Sequence, residues 1–376
     1  MRDPGLTSRR VVLLAGLATL LSCRRGATSR ASPSLGARAS ARRIALPAGL
    51  GVPQQIVPSG PGRAWVVGSG FAVAVDGDDV HTLGADVHGT ALGARRDHAL
   101  LLGGGLYDRA GRLQRKLAGG GLYHDAGVDE QVLHVDDHGW TTVAALAGRA
   151  RPATMFVQRR AWRGDGAAAR QSVAVDGRGV GARRDDGEVV LAFDEGRVVG
   201  LASARAGVDP IPVSFETTVA PRPYAITGDD EGVTLLCADA GRGRWARGYD
   251  DGLPTPAWTT TVVQLDRRGR ERARVVVPFA AEHVLVWPPG AVLVVGRGLA
   301  CVAAGALAWV HDDGRDRMAA IAGDAAAIAA ADALERVDRR GRTLGRVALA
   351  QAPSCPPALD GPRVWLAGPG ALWCSS

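Results

Sequence analysis

The stretch Pro357–Cys374 reads PALDGPRVWLAGPGALWC, and its core, Trp365–Trp373, is an apolar strand, a Gly-Pro-Gly turn and a second apolar strand. The same unit recurs as WVVGSGFAV at Trp65–Val73, LLLGGGLYD at Leu100–Asp108 and LVVGRGLAC at Leu293–Cys301. A degenerate copy, IAAADALER at Ile328–Arg336, carries Ala331 and Ala333 at the glycine positions. Short apolar runs bounded by glycine turns read as hairpin strands, and a fixed period between them marks a repeat. Gly68 to Gly103 is 35 residues, Gly296 to Ala331 is 35, and Ala331 to Gly368 is 37. Weaker copies around Asp137-His138-Gly139, Gly177-Arg178-Gly179 and Asp229 to Gly232 bring the expected number of units to eight.

A second turn follows the first in several units: YDRAGRL (Tyr107–Leu113), LDRRGRE (Leu265–Glu271) and VDRRGRT (Val337–Thr343). Aspartate at the head of a turn accepts backbone hydrogen bonds, and glycine supplies positive φ without steric cost. Two tight hairpins per unit give four short antiparallel strands, and four-stranded units repeated radially are the blades of a β-propeller. The fold expected is therefore all-β, a propeller of eight four-stranded antiparallel blades. Seven is the alternative, if residues 202–261, with Pro210, Pro212, Pro221, Pro223, Pro254 and Pro256, form long surface loops within one blade. A β-sandwich would not require the period. The last unit stops after its third strand, so Arg42–Pro47 (RRIALP) is expected to supply the fourth and close the ring with the chain's own termini.

The charge of the 376-residue chain is concentrated at its beginning. Of the formal +7, residues 1–22 hold +2 and residues 24–43 hold +6, leaving a net of −1 on residues 44–376. A near-neutral body lacks the basic face that a nucleic-acid binder needs. With 46% hydrophobic residues it is not a disordered chain. No apolar run approaches the roughly 20 residues of a membrane-spanning helix.

Residues 1–22 read as an export signal: Arg9 and Arg10 precede the apolar run Val11–Leu21, too short to span a bilayer. Ser8-Arg9-Arg10-Val11-Val12-Leu13 is similar to a twin-arginine signal, with Val12 where an aromatic is usual, and general export is the alternative. Leu20-Leu21-Ser22-Cys23 resembles the bacterial lipobox, which implies lipidation of Cys23. Residues 23–43, rich in Arg, Ser and Ala, have no hydrophobic periodicity and read as a flexible tether whose arginines can lie against anionic headgroups. Arg24 stands where an aspartate would favour inner-membrane retention, so the outer membrane or periplasm is the expected location. The organisation is then signal 1–22, tether 23–43 and propeller 44–376.

Pro357–Cys374 resembles the repeat of quinoprotein-type (PQQ-repeat) propellers, whose layout is an apolar strand, Gly, Gly, an apolar strand and Asp-x-x-Gly. That family includes quinone-dependent alcohol dehydrogenases and the propeller lipoprotein of the outer-membrane assembly machine. The resemblance implies architecture only. The dehydrogenases carry an adjacent Cys-Cys pair and asparagine ligands for calcium, and this chain has neither, so no quinone cofactor is expected.

Candidate chemistry is sparse. Cys237, Cys301, Cys355 and Cys374 are an even number in an exported domain, which suggests disulfides Cys355–Cys374 and Cys237–Cys301, with buried thiols as the alternative. The eight histidines show no HExxH or His-x-His, and His134 and His138 lie on a strand-turn segment, so no metal site is expected. Asp185-Asp186 and Asp312-Asp313 precede glycines and read as turn formers, and the nine tryptophans read as packing. No catalytic set and no cofactor emerge. The expectation is a non-enzymatic, lipid-anchored scaffold for other envelope proteins. The alternative is an enzyme or a small-ligand or carbohydrate binder working at the central channel mouth. Partner identity and oligomeric state stay open.

Overall fold

The computed structural model describes residues 42–375, apart from 69, 88–91, 96–97, 102–104, 109–111, 116–127, 136–138, 147–152, 162–168, 176–178, 185, 194, 203–210, 239–258 and 361–362. Among the described residues every regular element is a strand, and the strands form eight four-stranded antiparallel sheets. We number them I (residues 53–87), II (92–115), III (128–175), IV (179–218), V (222–277), VI (281–311), VII (318–348) and VIII (358–375 with 42–45). The first strand of each sheet packs against the first strand of the next, and Ala358–Asp360 of sheet VIII packs against Pro53–Gly60 of sheet I. The sheets therefore close into a ring, with first strands innermost, and the architecture is an all-β propeller.

The recurring Gly-x-Gly unit is the hairpin between the second and third strands. Trp65–Val73 falls across Arg63–Gly68 and Gly70–Asp76, Leu293–Cys301 across Ala291–Gly296 and Leu299–Ala303, and Trp365–Trp373 across Arg363–Gly368 and Ala371–Ser375. These middle strands are covered on both faces by neighbouring sheets, so they read as unbroken apolar runs; Val189–Phe193, Gly232–Ala238 and Ala291–Gly296 are buried throughout. The fourth strands face outward, and Thr343–Ala348 is almost wholly exposed. Trp65, Trp287 and Trp365 are fully buried between sheets, as packing residues should be.

Ring closure follows the sequence reading. Arg42–Ala45 pairs antiparallel with Ala371–Ser375, placing Arg42 opposite Cys374 and Ile44 opposite Leu372. Ile44 joins Leu372, Trp365, Val66 and Val73 in a core that spans sheets VIII and I. Arg42 and Arg43, assigned to the tether by composition, are the first residues of this strand.

Two readings are corrected. The three weaker copies mark other turns: Asp229–Gly232 joins the first and second strands of sheet V, Gly139 opens the second strand of sheet III, and Gly179 opens the first strand of sheet IV. A glycine turn occurs at every kind of hairpin, so without the flanking apolar runs it does not say which one. Residues 202–261 are not loops of a single blade, since they supply Val213–Thr218 to sheet IV and Arg222–Gly228 and Gly232–Ala238 to sheet V. Pro223 is accommodated in a strand because the register shifts beside it, between Pro223 and Ala225.

Candidate functional site

The third-to-fourth-strand turns are built by their aspartates. Asp266 Oδ1 accepts the backbone N–H groups of Arg268 (2.8 Å) and Arg270 (2.9 Å), and Gly269 follows with φ 75°. Asp338 Oδ1 does the same for Arg340 (2.9 Å) and Arg342 (3.0 Å), with Gly341 at φ 75°. The Arg270 N–H holds the Asp266 carboxyl below the ordinary range. Asp186 and Asp313 likewise accept backbone N–H groups two residues on, from Glu188 and Arg315, so both are turn formers as their sequence context indicates. The Arg317 guanidinium, in a paired contact at 2.7 Å, lowers the Asp313 carboxyl to about 2.

These turns sit in the grooves between sheets, and the fourth strand of the preceding sheet fills each groove differently. At the IV/V groove the ring of Phe215 lies where a Cβ on Gly269 would fall, 2.3 Å away. At VI/VII the indole of Trp309 covers Gly341, where a Cβ would meet it at 2.9 Å, and Trp309 Nε1 donates to the Arg339 carbonyl at 2.7 Å. At VIII/I, Arg42 of the closing strand reaches beside Gly77, and its Nε donates to Asp78 Oδ1 at 2.8 Å. At V/VI the equivalent residue is Ala273, whose methyl lies 2.9 Å from the place of a Cβ on Gly305.

That V/VI groove is open. A cleft of about 470 Å³ lies there, lined on the sheet V side by Asp229, Glu231, Thr234, Gln264, Arg272 and Ala273. Gly290, Ala304 and Gly305 of sheet VI form the other side. Ala304 and Gly305 have φ of 49° and 74°, so this hairpin turns in two residues rather than in the longer Asp-Arg-Arg-Gly form. At the mouth Arg272 donates to Glu231 at 2.8 Å, and both side chains are about half exposed. Behind them Val292 of the V/VI core is apolar and buried, while Val233 and Leu265, also at this wall, turn their side chains into the IV/V core on the other face of sheet V. Sequence reasoning looked to the channel mouth and missed this groove. Its signal is the alanine of ERARVVV at 273, where the fourth strand of sheet VI, ALAWVH, carries Trp309.

The cysteines are distributed among the cores between sheets. Cys237, Cys301 and Cys355 are buried thiols, and Cys374 is half-buried. Cys237 belongs to the core between sheets IV and V and Cys301 to the one between VI and VII, so separate packing units hold the two members of that pair. Cys355 and Cys374 share the VIII/I core. Burial pushes Cys237 and Cys355 up to about 12 and raises Cys301 and Cys374 too, keeping them protonated and unreactive at neutral pH. Among the described residues no group of His, Cys, Asp and Glu is placed to hold a metal ion. Arg9, Arg10, Cys23 and His138 lie outside the described residues.

No family model and no curated protein sequence matches the chain. Among solved structures it is similar to the computationally designed Ika8 protein, at 12% identity and a TM-score of 0.60, over 88% of this chain and 98% of that one. It is also similar to BamB from Moraxella catarrhalis, at 12% identity and TM-score 0.38 over 89% of this chain and 98% of that one. The WD40 β-propeller domain of Doa1 matches at 11% identity and TM-score 0.36, over 66% and 94%. The overlap with the designed protein is a likeness of fold.

Proposed function

We propose that this protein is an exported, lipid-anchored propeller that acts as a non-enzymatic scaffold for proteins of the bacterial envelope. The observation that carries the scaffold reading is where the apolar surface lies. Among the described residues seven large apolar side chains are exposed, and six of them, Val213, Val276, Leu307, Val310, Leu344 and Val347, stand on the fourth strands of sheets IV to VII. Those strands also end in unpaired backbone edges, which an incoming strand can extend. Exposed apolar side chains gathered on one rim mark an interaction surface more often than scattered ones do.

Export and anchoring rest on Arg9-Arg10, the apolar run Val11–Leu21 and the lipobox-like Leu20–Cys23. Replacing Cys23 by Ser is expected to move the protein from the membrane to the soluble fraction of fractionated cells. A Cys23→Ser protein that stays in the membrane fraction overturns the anchor. A second reading, a small-ligand binder, is favoured by the V/VI cleft, whose volume lies within the range of ligand pockets.

A further inference from the structure

The two grooves that flank V/VI follow one plan, and V/VI departs from it. Phe215 plugs IV/V, Trp309 plugs VI/VII, and both rings lie over a turn glycine of the next sheet. At V/VI the plug is Ala273, the turn is shortened to Ala304-Gly305, and the cleft of about 470 Å³ stands in the plug's place. Blade V also differs beneath the plug. Phe215 has room because Gly200 lies opposite it, whereas Gln264 lies opposite Ala273 and lines the cleft. Val292, with Ala273 and Ala304, gives the groove its apolar part, and Thr234 and Gln264 add polar groups able to hydrogen-bond what enters.

A groove that lacks the side chain its neighbours carry can take a group of the missing shape, as cavities left by truncated side chains do. We propose that the V/VI cleft is a binding site for an aromatic side chain presented by a partner polypeptide, which completes in trans the plug that Phe215 and Trp309 supply in cis. The polypeptide source follows from the precedent within the molecule, because the two neighbouring grooves are filled by chain aromatics carried on an outer strand. The Glu231–Arg272 pair at the mouth then forms the polar rim around the inserted ring. This proposal rests on the scaffold reading and specifies where on the ring the partner anchors.

The test uses the full chain with N-acetyl-tryptophanamide as probe and N-acetyl-leucinamide as control, read by saturation-transfer NMR. Wild-type protein is expected to bind the aromatic amide, and Ala273→Phe and Ala273→Trp to lose that binding while melting at or above the wild-type temperature. Trp309→Ala is expected to open a second site, seen as a rise in its Tm on adding the aromatic amide. No binding to wild type, or undiminished binding to a folded Ala273→Phe, overturns the site. A diazirine-bearing lysine analogue at position 272 separates the sources in cells. A protein crosslink that disappears with Ala273→Phe supports the polypeptide. Amide binding without a crosslink assigns the cleft to a small aromatic ligand and overturns it. Crosslinks from rim positions such as Val276 or Leu344, with none from 272, sink the cleft and leave the scaffold standing.

Discussion

Trp309 on the fourth strand of sheet VI lies over Gly341 in the turn of sheet VII, and its Nε1 hydrogen-bonds the carbonyl of Arg339 at 2.7 Å. Arg339 returns the contact: its guanidinium donates to the Trp287 carbonyl at 3.0 Å and sits 5.9 Å from the Trp287 ring centroid. Two sheets that share no backbone pairing are thereby clasped through one turn.

Gly341→Ala is expected to destabilise the protein by about 2–3 kcal/mol, since it combines a positive φ with a collision against Trp309. Gly323, at φ 58° with nothing within 4 Å of its would-be Cβ, isolates the backbone term. Gly323→Ala should cost about 1 kcal/mol. Urea unfolding of the two variants checks the difference, and equal losses would remove the clasp from the explanation.

Trp309→Phe keeps an aromatic ring on the strand beside Gly341 and removes the N–H donor together with the five-membered ring. A loss of about 1–2 kcal/mol is expected, because the Arg339 carbonyl keeps partial access to solvent. A larger loss would mean that the indole's second ring, rather than the hydrogen bond, holds the turn.

The closing strand should hold by burial and not by charge. Ile44→Ala is expected to cost about 2–4 kcal/mol, as its side chain is 4% exposed in the VIII/I core. Arg42→Ala, which removes an exposed pair with Asp78, should cost under about 1 kcal/mol. Denaturation midpoints that ranked the two the other way would contradict this view of closure.

Asp313 gives a pH signature. Its carboxyl is lowered from 3.8 to about 2 by Arg317, so its contribution to stability is complete above about pH 4 and is lost as pH falls towards 2. Asp313→Asn should therefore differ from wild type at pH 5 and converge with it near pH 2. Asp313 is about half exposed, so the difference will be small and largest at low salt.

In the native protein Cys237, Cys301 and Cys355 should resist a thiol reagent until unfolding, with Cys374 reacting first. Mass spectrometry after brief labelling at neutral pH checks the order. Labelling of Cys237 or Cys355 ahead of Cys374 would contradict the packing described.

Much of the ring was legible because each second and third strand is covered on both faces. Trp65–Val73 and Trp365–Trp373 are apolar runs around a fixed glycine turn, a pattern that only a buried hairpin demands. The Asp-Arg-Arg-Gly turns were legible for the same local reason, since Asp266 and Asp338 make their hydrogen bonds within four residues. The weaker copies misled because a glycine turn does not tell one hairpin of a blade from another. Pro223 misled because a register shift lets a strand tolerate what composition reads as a loop. The V/VI cleft was out of reach for a different reason. It arises from Ala273 and Gly305, 32 positions apart on different sheets, and matters only by contrast with Phe215 and Trp309 at equivalent places. An even cysteine count says nothing of which core each thiol enters, and Cys237 and Cys301 enter different ones.

The most direct test of the scaffold reading is photocrosslinking in living cells from Val276, Leu344 and Val347 on the outer strands, with a buried position such as Val294 as control. The expected result is one recurrent envelope protein captured from the outer strands, absent from Val294, and lost together with membrane association in Cys23→Ser. Capture of nothing from the outer strands, or the same proteins from Val294, would contradict it.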